Sequence, residues 1–210
     1  MRVTTSSPAR LAAIAIGSGA ALGAVTLLIV RYLPHPLNLL GTLGGPWVAT
    51  AFGVGSFARR RSWAALAGAA SMAAAVTAYY FLRKVVHPGA FGGFTVDGEA
   101  INYLLVGLVI GAAFGILGSA WRGGGFVARI VCPGLLAGAL ATEVIVLSVQ
   151  SWDGAELIWA VAEGVAAIAV ALVLPGTRRG GRYALVLAIV SAAAVSAAIL
   201  ATGYRPRLFG

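Results

Sequence analysis

The chain has 210 residues, of which 60% are hydrophobic and only 10% are Asp, Glu, Lys or Arg. A soluble domain carries about a quarter charged residues, because water must solvate its surface. This composition therefore excludes an ordinary soluble domain and indicates a chain whose apolar surface faces a lipid bilayer. The net charge of +9 would suggest nucleic acid in a soluble protein. Here the basic residues lie at the ends of apolar runs, so we expect no nucleic-acid partner.

Seven apolar stretches follow one another along the chain, each about long enough to cross a bilayer. The first, after a basic leader, is longer than the apolar region of a signal peptide, which favours an uncleaved helix. The sequence therefore predicts an all-α, polytopic membrane bundle of seven transmembrane helices in a single integral membrane domain, 1–210. The predicted spans are about 11–30, 38–58, 63–86, 99–121, 126–149, 155–174 and 183–203.

The charges between the spans predict the orientation. With the N-terminus inside, the inner segments hold ten arginines, the outer segments hold five basic residues, and the four loop acids are all outside. The positive-inside rule then predicts the N-terminus inside and the C-terminus outside. Helical spans and the large excess of arginine over lysine favour a bacterial cytoplasmic membrane. The inner arginines are expected to bind anionic lipid headgroups.

Small residues recur every four positions along the fourth span and predict a helix-packing ridge. Such a ridge lets another helix backbone approach closely. Its partner is either a helix of the same bundle, or a second copy or partner subunit in a homo-oligomer or complex. The ridge consists of Gly107, Gly111, Gly115 and Ser119. A shorter stripe of the same kind in the first span consists of Ala13, Gly17 and Ala21.

The second span contains a predicted helix break at Gly44, Gly45 and Pro46. Proline removes a backbone donor and clashes with the preceding turn, and glycines permit a sharp change of direction. Helices broken within a membrane often line a binding cavity, because the freed backbone groups need partners. The alternative is a kink that serves only packing.

Two acids, Glu143 and Glu163, lie within apolar spans, ten residues on either side of Asp153. In an antiparallel hairpin this spacing places both carboxyl groups at a similar depth. Acids within a membrane usually face the bundle interior and have a function. We expect a ligand- or proton-binding site that faces outward, although an ion pair with Arg83 and extension toward the surface remain alternatives. The other polar residues expected near this layer are Tyr79, Tyr80, Arg83, Asn102, Tyr103 and Trp159.

Signatures of enzymes and metal sites are absent from the sequence. There is no GxSxG, no phosphate-binding loop and no Asp-rich pair. Cys132 is the only cysteine, and His35 and His87 stand apart, each before a proline. The sequence therefore predicts no catalytic residue, no metal and no cofactor.

Five short runs resemble a family of small actinobacterial membrane proteins known only as a domain of unknown function. These runs are GGPW at 44–47, SWAALAG at 62–68, AYY at 78–80, AFG followed by AWR within 113–122, and LLAGALATE at 135–143. The resemblance covers about spans two to six. It implies a bacterial membrane protein of this size, and it carries no activity and no site.

Three functions are compatible with these features. The first is binding or transport of a small molecule or ion at the polar site around Glu143 and Glu163. The second is a non-catalytic interaction subunit that holds a partner through the glycine ridge. The third is an intramembrane enzyme that processes a lipid, which needs an acid–base pair and an entry route from the bilayer.

Overall fold

Helices form every regular element of the part of the chain that the structure describes. The structure is a computed structural model and describes residues 7–35, 37–86, 98–150 and 154–201. The predicted outer turns at 87–97 and 151–153 lie outside these ranges. The elements are α1 (Pro8–Tyr32), a 3₁₀ helix (Leu37–Thr42), α2 (Gly45–Ser56), α3 (Arg61–Val86), α4 (Gly98–Gly123), α5 (Phe126–Gln150), α6 (Gly154–Val173) and α7 (Arg178–Ala201). The all-α prediction is confirmed for the described residues.

Five of these helices are long and apolar enough to cross a bilayer: α1, α3, α4, α5 and α7. The apolar part of α6 is shorter, 158–173. The span predicted at 38–58 consists of the 3₁₀ helix and the 12-residue α2. At 1.5 Å per residue, α2 is about 18 Å long and does not cross the ~30 Å hydrocarbon core by itself. The lengths and composition of the helices indicate a membrane protein.

Local capping explains where the helices begin and end. Ser7 Oγ accepts a hydrogen bond from the Arg10 N–H at 3.3 Å, with Pro8 at the first helical position of α1. Thr177 caps α7 in the same way, accepting from the Gly180 N–H at 3.0 Å. Both residues satisfy backbone donors that a helix start leaves without partners. Gly176, with φ of 72°, ends the turn after α6 in a conformation that favours glycine.

The helices form two compact units. Unit 1 contains residues 1–32 and 47–123, and unit 2 contains residues 33–46 and 124–210. The chain therefore passes from unit 2 to unit 1 between Pro46 and Trp47, within the first turn of α2. The prediction of a single domain concerns how the two units are held together, and it stays a prediction.

In unit 1, α3 packs against both α1 and α4. The predicted ridge of α4 lies against α3 of the same chain. A Cβ added to Gly111 would lie 2.6 Å from the Gly68 carbonyl oxygen, and one on Gly115 would overlap the Ala64 carbonyl oxygen. At the end of the ridge, Ser119 Oγ donates to the Ala58 carbonyl oxygen at 2.9 Å. These contacts place the ridge inside the fold, so α3 already fills the surface that a partner helix would need.

The small-residue stripe predicted for α1 does not take part in the packing of unit 1, so a role toward a second copy or partner subunit stays a prediction. Ala13, Gly17 and Ala21 are exposed, and a Cβ on Gly17 would meet nothing within 4 Å. The packed face is displaced by two residues: Gly19 and Gly23 are buried, and their Cα atoms lie directly against the backbone of α3. An alanine-rich helix has small residues on every side, so small-residue spacing alone did not identify the packed face.

In unit 2, α5 packs against α6 and α7, and the 3₁₀ helix contacts α6. Gly138 of α5 faces the Ser191 side chain of α7, and a Cβ on Gly134 would lie 3.0 Å from Leu187 Cδ2. Most of these close neighbours are side chains, which can adjust, whereas in unit 1 they are mostly backbone. This unit contains both membrane-embedded acids and the predicted helix break.

Candidate functional site

The carboxylate of Glu143 binds the backbone at the helix break. The Gly44 N–H lies 2.8 Å from Oε1 and 2.9 Å from Oε2, and the Gly45 N–H lies 3.0 Å from Oε2. The 3₁₀ helix ends at Thr42 and α2 begins at Gly45, so the carboxylate occupies the N-terminus of α2. A helix start concentrates partial positive charge and unpaired N–H groups, which together stabilise an anion.

The local sequence explains why α2 needs a cap from another helix. Helix starts are usually capped by a Ser, Thr, Asp or Asn side chain, and Gly44 has none. Pro46 has no N–H, which removes one of the donors that would otherwise need a partner. The Gly44 and Gly45 N–H groups are satisfied by Glu143, 99 positions further along the chain from Gly44. The carboxylate thus supplies a helix cap within an apolar environment.

Glu163 of α6 lies beside this cap and has a different environment. Its side chain is only 6% exposed, so it does not extend to the surface. Neither of its carboxyl oxygens receives a hydrogen bond from a donor of the described residues. The polar groups nearest to it are the carboxyl group of Glu143 and the Gly45 N–H, which already donates to Glu143. Two carboxylates are both acceptors, so they form a hydrogen bond only when one of them carries a proton.

Gly45 is the point where the two acids and the break meet. A Cβ on Gly45 would overlap Glu163 Oε1 and would lie 2.6 Å from Leu140 Cδ2. A Cβ on Gly44 would lie 3.4 Å from Glu143 Oε2, which is an ordinary contact. Glycine is therefore required by space at position 45 and much less at position 44. Leu140 closes the site with an apolar side chain.

Asn38 is a polar residue of this unit that the sequence reasoning missed. It lies on the 3₁₀ helix that contacts α6, and its Oδ1 atom is buried without a donor among the described residues. Its position within the apolar run LNLLGTL is the signal that could have identified it. Leu140 had no such signal, because one leucine in an apolar span looks like any other.

The predicted site residues form two groups, one in each unit. In unit 2, Glu143, Glu163 and the Gly44–Gly45–Pro46 break come together. The sequence predicted the break and the acids as separate features, and in the structure they lie next to each other. Trp159, four residues before Glu163 on α6, is half-buried.

In unit 1, the predicted tyrosines and arginine form an aromatic cluster between α3 and α4. The rings of Tyr79 and Tyr80 meet edge to face at 5.2 Å, and those of Tyr80 and Tyr103 lie 6.4 Å apart. The Arg83 guanidinium lies 5.9 Å from the Tyr80 ring centre, a cation–π distance. Asn102 is exposed on α4. This cluster consists of aromatic rings and one cation. Glu143 and Glu163, which were predicted to lie near these residues, belong to the other unit.

The arrangement in unit 2 places two acidic groups side by side. They lie beside one set of backbone donors, which would offset only part of two negative charges. No group of three or more His, Cys, Asp or Glu residues that could hold a metal ion occurs among the residues described. The chemistry available is that of one buried acid, Glu163, and one half-buried acid, Glu143, beside a broken helix.

Comparison with known protein families identifies the family to which the chain belongs. The profile of one family, described as a family of unknown function, DUF6518, matches residues 2–206. The chain belongs to this family. No curated protein and no solved structure is significantly similar to it. Membership in DUF6518 confirms the predicted type of family, while an actinobacterial origin stays a prediction. The family brings no activity with it, so the function must be argued from the site.

Proposed function

We propose that the protein binds or transports an ion or small molecule across a bacterial cytoplasmic membrane, at the site formed by Glu143, Glu163 and the start of α2. The observation that carries this proposal is the capped break. A carboxylate from α5 accepts hydrogen bonds from the backbone N–H groups at the point where the second apolar stretch is interrupted. Discontinuous helices with charged partners are the usual way in which membrane transporters build a site near the midplane.

The depth of the site supports this proposal. Glu163 lies ten residues before the end of α6 at Val173, which is about 15 Å along the helix. Gly45 lies 11 residues before the end of α2 at Ser56, which is about 17 Å. With the helices roughly normal to the bilayer, both residues lie near the middle of a ~30 Å hydrocarbon core. A buried acid at that depth is costly and is usually retained for function.

The experiment is a ligand screen by thermal unfolding of the purified protein in detergent, using monovalent and divalent cations, amino acids and nucleosides as probes. A ligand at 100 times its Kd stabilises the folded state by about 2.7 kcal/mol. The expected result is that at least one probe stabilises the wild type and not the Glu143→Gln variant. If neither a probe nor a change of pH distinguishes the two proteins, the proposal is wrong.

The proposal includes seven crossings with the N-terminus inside. Here the 3₁₀ helix and α2 together form the second crossing, and α6 forms the sixth. Single-cysteine variants in a Cys132→Ser background test this orientation: Arg60→Cys should react with an impermeant thiol reagent only after the cells are opened. Labelling of intact cells at position 60 would reverse the orientation.

The two alternatives remain predictions with less support. An interaction subunit was expected to use the ridge of Gly107, Gly111 and Gly115, which packs against α3 of the same chain. A lipid-processing enzyme would need a substrate route to the carboxyl pair, and no observation favours one.

A further inference from the structure

The two acids of the site have unequal roles. Glu143 is fixed by three hydrogen bonds to the Gly44 and Gly45 N–H groups, and both of its oxygens act as acceptors. Hydrogen bonds from backbone N–H groups to a carboxylate favour its charged form. Glu163 makes no such hydrogen bond, although it is almost fully buried and the Gly45 N–H lies nearby. Glu143 therefore has the stronger set of backbone donors, and Glu163 lies against it with less compensation.

We propose that the ligand of this site is a single proton, which Glu163 binds and releases, and which Glu163 donates as a hydrogen bond to the Glu143 carboxylate. The inference rests on the proposed function, because it names the ion that the site binds. The proton satisfies both buried carboxyl groups at once: the Glu163 O–H gains an acceptor, and the pair carries one negative charge in place of two.

A proton fits the site better than a metal ion. The N–H groups of Gly44 and Gly45 point their positive hydrogens at the pair, and a metal ion there would face them at short range. Leu140 contributes only an apolar surface. A sodium, calcium or magnesium ion takes several oxygen ligands, and this site offers two carboxyl groups without a third acid among the residues described.

Among the described residues of the helices that pack against α6, the positive side chains lie near the starts of α5 and α7. On α5 the acid is Glu143, and the arginine is Arg129, 14 positions before it. The 3₁₀ helix Leu37–Thr42 contains no titratable residue, and His35 precedes it. The titratable residues of α7 all lie in its first six positions, beside the end of α6 that is about 15 Å from Glu163. They are Arg178, Arg179, Arg182 and Tyr183.

Release of the proton has a structural consequence. A charged Glu163 would place two carboxylates in contact, both competing for the same two N–H groups of the break. Like charges at such a distance repel strongly where little water is present to screen them. Proton release therefore loosens the cap on α2, and rebinding restores it. This couples a proton to the conformation of the broken helix.

The test is pH-dependent infrared difference spectroscopy of the full protein in lipid nanodiscs, in H₂O and in D₂O. We expect a carboxylic-acid C=O band in the wild type that disappears at high pH and shifts in D₂O. The band should be absent from Glu163→Gln and retained in Glu156→Gln, which removes an acid from the same helix outside its apolar part. In Glu143→Gln the band should remain at a changed frequency. Glu163→Leu serves as a second variant without the band.

Two results would overturn the proton assignment. One is a wild type with no acid band that depends on Glu163 at any pH. The other is a carboxylate band that shifts on addition of sodium, potassium or magnesium chloride at constant pH, which would identify a metal ion as the ligand. If the ligand screen still separates wild type from Glu143→Gln, the proposed function survives while this inference fails.

A second measurement tests the case in which the proton assignment holds and the transport function fails. Proteoliposomes that contain a pH-sensitive dye are given a pH gradient, and proton entry is followed with the Glu163→Gln variant as control. Entry above the rate of protein-free vesicles, lost in Glu163→Gln, supports both proposals. The acid band could be present while no proton enters and no ligand is found in the screen. In that case the assignment of the proton to Glu163 stands, and transport is overturned as the function.

Discussion

The two units satisfy their buried polar groups in different ways. Unit 1 joins helices by direct contact between backbones at glycines, and the Ser119 hydroxyl donates to a carbonyl oxygen of the same unit. In the described part of the chain, the buried side-chain oxygens without a donor all belong to unit 2: those of Asn38, Glu163 and Ser196. Unit 1 is thus the more closely packed part at its glycines, and unit 2 is the part that keeps buried polar groups without partners.

The same difference appears in what each glycine contacts. In unit 1 the atoms nearest to Gly19, Gly115 and Gly118 are carbonyl oxygens, which cannot move without the helix. In unit 2 those nearest to Gly45 and Gly138 are side-chain ends. Side chains change rotamer at low cost, whereas packed backbones do not deform continuously. Substitutions at glycine should therefore be more damaging in unit 1.

The largest effect is expected for Gly115→Ala in unit 1. Its methyl group would overlap the Ala64 carbonyl oxygen and separate α4 from α3, and we expect a loss of about 3 kcal/mol of unfolding free energy. Reversible unfolding in mixed micelles measures this. The matched control is Gly107→Ala on the same ridge, whose methyl group would lie 3.6 Å from Met72 Cβ. Equal losses in the two variants would contradict the packing described.

The next effect is expected for Glu143→Ala in unit 2. Removing the carboxylate leaves the Gly44 and Gly45 N–H groups without their cap, at a cost of about 2 kcal/mol. Glu143→Gln keeps one acceptor oxygen and should lose about half as much. The same unfolding assay compares them. If the two variants are equally stable, the cap on α2 does not depend on hydrogen-bond acceptance.

A smaller effect is expected for Gly45→Ala, about 1 kcal/mol, because the methyl group displaces only the ends of the Glu163 and Leu140 side chains. Gly44→Ala, whose methyl group has room, should be nearly neutral. Thermal unfolding of the two variants side by side measures the difference. A Gly45→Ala loss as large as that of Gly115→Ala would remove the contrast between the units.

The smallest effect has the opposite sign. Replacing a buried polar group by an apolar side chain of similar size is often stabilising, and we expect Glu163→Leu to gain about 1 kcal/mol. Functional sites commonly sacrifice stability in this way. Chemical unfolding of Glu163→Leu against wild type checks the sign. A large loss would mean that Glu163 supports the fold rather than binding a ligand.

The sequence predicted the helical fold because lipid demands long apolar runs, and these are visible without knowledge of packing. It also identified the break and the two acids, since proline, glycine and charge are rare and conspicuous within a span. It did not join them, because the contact between Gly44 and Glu143 depends on which way each helix turns. The face of α1 that packs against α3 was not identified for the same reason: on a helix of small residues, no periodicity distinguishes the packed side.

The separation of 99 positions between Gly44 and Glu143 has a consequence for biogenesis. At about 5–20 residues per second, a ribosome needs roughly 5–20 s to synthesise this interval. During that time the start of α2 has no Glu143 to accept its hydrogen bonds. The second apolar stretch therefore has to remain near water or the insertion machinery until α5 enters the membrane. A nascent chain arrested at Leu140 should leave a cysteine in place of Leu43, which is buried in the folded chain, open to a water-borne thiol reagent, and one extended past α5 should protect it.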